Sequence, residues 1–162
     1  MSNKFDVLKS YDEMTAITVD FYKTLNIDIP SEFIKEAVQS LTMASYAKEY
    51  NESSINNGDS IKGHKALTTV GDAVCGAFLM VAKYKPGATQ EIMHNYKSNL
   101  TNESLNPVGK ELIMSRVFAR NTDIKEGNTK DYADVFEAVI GFISVYIGIE
   151  KAFEVLKEHL IC

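Results

Sequence analysis

The sequence is poor in the residues that divide, staple or export a chain. Three prolines and no Gly/Ser-rich tract, repeat or low-complexity stretch leave nothing that reads as a linker. The 162 residues are therefore expected to form one domain, 1–162, long enough to hold a hydrophobic core. The two cysteines, Cys75 and Cys162, have no metal-ligand spacing and make a weak case for a disulfide. Cys75 lies in an apolar run, where a packed thiol is the ordinary reading. His64, His94 and His159 join no cysteine and are expected at surface or boundary positions, so zinc is not the expected metal. The N-terminal "MSNKFDVLKSYDEM" mixes both charge signs and lacks the apolar core of a signal peptide. The longest apolar run, 138–149, falls short of the roughly 20 residues that span a bilayer. A cytoplasmic protein with no membrane partner is the expectation.

Arginine is scarce too. The two present, Arg116 and Arg120, stand together in "SRVFARNTDIKEGNTK", followed by Lys125 and Lys130. A net charge of −5 argues against a general nucleic-acid coat protein, yet carboxylates gathered at one site can hide a basic face.

What is abundant is helical periodicity, while strand-type alternation is nearly absent. Residues 4–25 carry Phe5, Leu8, Tyr11 and Met14, Ile17 and Thr18, Phe21 and Tyr22, and Leu25 on one stripe. Pro30 and Ser31 then suit a new start, continued through "EFIKEAVQSLTMASYAKEY". Polar "NESSINNGDSIKG" reads as a loop, 65–84 as a helix ended by Pro86 and Gly87, and 88–105 as another. A short helix follows at "LNPVGKELIM", then a polar loop at 119–130. Residues 131–161 form one or two helices, with Gly141 and Gly148 as close-packing points. The expected class is all-α, with about seven helices.

Two features disturb this apolar pattern. Asp72 sits among Val70, Ala73, Val74, Ala77 and Phe78, where an unpaired buried carboxylate costs several kcal/mol. Asp134 and Glu137, three apart and hence on one helical face, open the most apolar stretch of the chain. A divalent cation held by oxygen ligands, Mg²⁺ or Mn²⁺, would account for both. Ordinary pairing would as well: Asp72 with Arg116, Glu137 with a lysine, and Asp134 with its own helix dipole. On residue type and spacing, both readings stand.

Four stretches in order carry a family likeness. "SLTMASYAKEYNE" (40–52) resembles the ribonuclease III opening "ALTHxSYxxE", with Met43 in the His place. "GHKALTTVGDAV" (63–74) resembles the signature "NERLEFLGDAV", with GDAV intact. "YKSNLTNESLNPVGKEL" (96–112) resembles the helices that follow, and "YADVFEAVIGFI" (132–143) the second acidic motif, "xADxFEAxIGAxY". The likeness covers about 36–160, with the 4–25 helix ahead of it. It implies the all-α ribonuclease III endonuclease domain, a homodimer cleaving double-stranded or structured RNA with Mg²⁺ or Mn²⁺ to leave 5′-phosphate and 3′-hydroxyl ends. By motif, Asp72 and Glu137 match direct metal ligands and Asp134 an aspartate acting on the metal through water. These three are the expected catalytic residues.

Three departures bear on activity. Thr68 stands where the signature has a metal-binding Glu, Lys65 where it has its first Glu, and Thr69 where many relatives carry an interface Phe. The Thr68 hydroxyl or a water could take the vacated coordination position. Short relatives called Mini-III share the stand-alone nuclease domain, and by that resemblance this chain is expected to act without an RNA-binding domain after residue 161. Arg116, Arg120, Lys125 and Lys130 are the candidates for phosphate contacts. The alternative is a catalytically weak or inactive domain of this family, serving as an RNA-binding or ribosome-associated dimeric scaffold.

Overall fold

The computed structural model describes residues 8–56, 58, 60–98, 102–120 and 131–160. Helices account for its regular structure, as the periodicity predicts: α1 (Tyr11–Thr24), α2 (Ile34–Ser40) after a 3₁₀ turn at Ser31–Phe33, α3 (Ala44–Glu52), α4 (Lys65–Lys83), α5 (Gln90–Ser98), α6 (Asn102–Ile113), α7 (Asp131–Phe142) and α8 (Ile149–His159). Among the described residues there is no strand, and one isolated bridge joins Thr42 to Phe118. The N-terminal stripe becomes a helix at Tyr11, where Ser10 and Glu13 form a reciprocal capping box. Phe5 lies outside the described residues.

The single helix expected over 31–50 is broken at residues 41–43. Backbone pairing explains the break. Phe118 N–H donates to Leu41 O at 2.8 Å, Met43 N–H to Phe118 O at 2.9 Å, and His64 N–H to Thr42 O at 2.9 Å. A continuous helix would need those same groups for its own ladder. The break thereby ties the exit of α6 and the entry of α4 to one point.

Over the expected 88–105 helix the described residues give α5 and the start of α6, which runs through Pro107. A proline removes one N–H from the ladder without obliging the helix to start there. At the C-terminal end, Ile143–Ile147 forms a π-helical turn, and Gly148 at φ +141° lets the chain reverse into α8. Nothing lies within 4 Å of where a Gly148 Cβ would sit, so its role is backbone freedom rather than the expected close packing.

The expected burial of the last apolar run holds at its start: every residue of α7 from Tyr132 to Phe142 is buried, and so is Ile143. Val145 and Ile149 emerge to the surface. α4 departs from expectation. It buries one face (Leu67, Gly71, Cys75, Gly76, Phe78, Leu79) and exposes another, on which Val81 is 69% accessible. By length and composition alone α4 could cross a membrane, although a third of its apolar window is buried inside the protein, where it packs on α5, α7 and α8.

Two glycines set the crossing of α4 and α7. A Cβ on Gly71 would fall 1.6 Å from Glu137 O, and one on Gly141 would fall 2.1 Å from Leu67 O. The two backbones touch, which only residues without side chains permit. Gly141 is thus the close-packing point its position suggests.

Candidate active site

The site grows from the start of α7. Asn106 Oδ1, on α6, accepts from Tyr132 N–H at 3.0 Å and Ala133 N–H at 3.2 Å. These are first-turn amides with no partner inside their own helix. The cap fixes the turn that bears Asp134, and helical spacing sets Glu137 one turn further on. Both acids are buried, Asp134 at 7% and Glu137 at 4% exposure.

The Gly71 contact sets Asp72 beside the Glu137 turn. Asp72 is exposed, contrary to the burial its neighbours suggest, because Ala73, Ala77 and Val81 share the uncovered side of α4. It lines a cleft of about 540 Å³ with Ala73, Gly76, Ala77, Met80 and Lys97. Asp72 and Glu137 are nonetheless close enough to act on one group. Burial pushes the Cys75 thiol well above its ordinary pKa, and the carboxylates of Glu137 and then Asp72 push it further. Cys75 is the packed, protonated thiol its apolar surroundings predict.

Asp134 is engaged differently. Its Oδ2 receives the Lys65 ammonium at 3.5 Å, and its backbone carbonyl accepts from Thr68 Oγ1 at 2.8 Å. The Thr68 hydroxyl also lies 2.8 Å from His64 Nδ1. Of the two carbonyls the hydroxyl can donate to, Asp134 O at 2.8 Å is nearer than His64 O at 3.3 Å. Thr68 therefore pins the first turn of α4 to α7 through its hydroxyl.

His64 was expected at a surface or boundary position and is instead buried, 1% exposed. Burial first, then the neighbouring Lys65 charge, lower its pKa to about 4, so it is neutral at pH 7. The one faint hint of this role in the sequence is the His–Thr pair at i, i+4. For Lys97 there is no such hint, because its place in the cleft depends on how α5 packs on α4.

The arginines go elsewhere. Arg116 pairs with Asp20 at 3.6 Å, not with Asp72, and Arg120 Nε pairs with Glu49 at 2.7 Å. Neither lines the cleft at Asp72. Lys125 and Lys130 lie outside the described residues.

Among the described residues, no group of three or more His, Cys, Asp or Glu side chains is placed to hold a metal ion. The donor chemistry at Asp72 and Glu137 still suits Mg²⁺, which needs one or two carboxylates and keeps several waters. Asp134 does not complete a cage while Lys65 is on it.

Fold and site together define an all-α protein in which two glycine-bearing helices cross and Asp72, beside the crossing, lines an open cleft with Lys97. No family model matches the chain. In sequence it is similar to proteins named ribonuclease 3 from Mycoplasmoides pneumoniae and from a Mycoplasma pneumoniae strain. Each is 26% identical to it over 164 residues, covering 99% of this chain and 54% of the relative. The chain thus spans about half the length of the curated relatives it matches.

Proposed function

We propose that this chain is a ribonuclease III-type domain over 1–162 that acts in the cytoplasm and hydrolyses phosphodiesters of double-stranded or structured RNA. The observation that carries the reading is the α4–α7 crossing. Gly71 lies against the Glu137 backbone, which sets Asp72 beside the turn that bears Glu137. Those two carboxylates are the holders of Mg²⁺ or Mn²⁺. Held there, such an ion would supply an acidified water and offset charge on the phosphate. Asp72, at the open cleft, is reachable by a backbone phosphate, while Glu137 is buried on α7. Lys97, in the same cleft, can donate to a phosphate oxygen. In the hydrolysis a water oxygen bonds to phosphorus, the bond to O3′ breaks, and O3′ leaves with a proton.

A second copy of the chain is the proposed partner on α4. Ala66, Thr69, Val70, Ala73, Ala77 and Val81 are exposed at helical spacing beside the cleft. Small residues allow one such face to meet its own copy closely about a two-fold axis.

The test compares duplex and single-stranded RNA of one sequence with Mg²⁺ or Mn²⁺. Cleavage confined to the duplex, with 5′-phosphate products, is the expected result. Duplex binding without cleavage would favour the scaffold reading, for which Lys65 on Asp134 and the engaged Thr68 hydroxyl speak.

A further inference from the structure

We propose that Lys65 is a tethered cation that competes with a divalent ion for Asp134, so that the site takes up its ion only as Lys65 withdraws. The inference rests on the metal-site reading above and adds a control built into this chain. Lys65 is the first residue of α4, where the helix dipole disfavours a cation, so its own helix gives it no reason to be there. Its ammonium nevertheless lies 3.5 Å from Asp134 Oδ2. Asp134 supplies the reason: its side chain is 10% exposed, and a carboxylate so buried needs a positive neighbour. The Lys65 side chain is 66% exposed and reaches Asp134 through this one ion pair, so it can swing into water without disturbing the core. A single positive charge and a divalent ion on the same carboxylate repel each other, and removing the lysine charge relieves that repulsion.

The measurement is Mn²⁺ binding to the full chain, followed by electron paramagnetic resonance of the free ion. Lys65→Met should bind Mn²⁺ about tenfold more tightly than wild type, whereas Lys65→Arg should stay close to it. In an Asp134→Asn background, Lys65→Met should change the affinity little, because the shared carboxylate is gone. If wild type binds Mn²⁺ and Lys65→Met binds it equally or more weakly, the competition is refuted and the metal site stands. A gain that persists with Asp134→Asn refutes the competition as well, since the effect would then be general charge rather than an exchange at Asp134. If folded wild type and folded Lys65→Met both fail to bind Mn²⁺ at millimolar concentration, the metal-site reading falls and this inference with it.

Discussion

Replacing Gly71 by alanine should force apart the two helices that carry the candidate site. The new methyl group would begin 1.6 Å from Glu137 O and 2.4 Å from its carbonyl carbon, both backbone atoms that cannot rotate away. Reaching even the 3.0 Å limit of real Cβ contacts requires a shift of about 1.4 Å between α4 and α7. Overpacking of side chains costs about 1–3 kcal/mol, and a backbone-to-backbone clash belongs above that range, at about 4 kcal/mol. Alanine returns about 1 kcal/mol of helix propensity, leaving a net loss of about 3 kcal/mol. For a chain of this length that lowers the melting temperature by about 6–12 °C. Gly76, one turn and a half along the same helix, is the internal control. Its added Cβ meets only Lys97 Cε, at 3.9 Å, an ordinary contact. Gly76→Ala should therefore gain about 1 kcal/mol and melt about 2–4 °C higher. Thermal unfolding by far-ultraviolet circular dichroism reads both. Equal melting temperatures for the two variants would refute the crossing geometry, and with it the reason Asp72 lies beside Glu137.

Two further predictions concern the groups that hold the site's helices in place. His64 titrates near 4 when folded and near 6.5 when unfolded, so the unfolded chain takes its proton first and stability falls as pH drops from about 6.5 toward 4. Between pH 7 and pH 5 this amounts to about 2 kcal/mol. Urea titrations should show that increment in wild type and lack it in His64→Gln; identical pH slopes would refute the buried neutral imidazole. Asn106→Ala should cost about 1 kcal/mol, or about 2–4 °C in melting temperature, by uncapping Tyr132 and Ala133, while Asn106→Asp keeps the acceptor and most of the stability. No change in Asn106→Ala would contradict the cap.

The class of fold was legible because helical periodicity is a local property, repeated along the chain at every element. The break at residues 41–43 was not, because its cause is Phe118, far along the sequence, pairing with Leu41 and Met43. Asp134 and Glu137 could be read as one face because they share a helix. That Asp72 is exposed was hidden, since the apolar composition of α4 does not say which of its faces another helix covers. Gly71 and Gly141 were visible as small residues in apolar runs, but their partners, Glu137 O and Leu67 O, exist only once the helices cross. Thr68 and Lys65 read as lost carboxylates; the structure gives each a bond of its own to Asp134, one to its carbonyl and one to its side chain. Of the two readings left open for Asp72, its pairing with Arg116 is not made, because Arg116 pairs with Asp20 on α1.

The most direct measurement is cleavage of duplex RNA, with Mg²⁺ and then Mn²⁺, by wild type, Glu137→Gln and Asp72→Asn, each first shown to be folded at the assay temperature. If the two carboxylates at the α4–α7 crossing are the machinery, wild type cuts and each variant loses about a hundredfold or more in rate. Variants that cut as fast as wild type, or a wild type that cuts with neither ion, would contradict it.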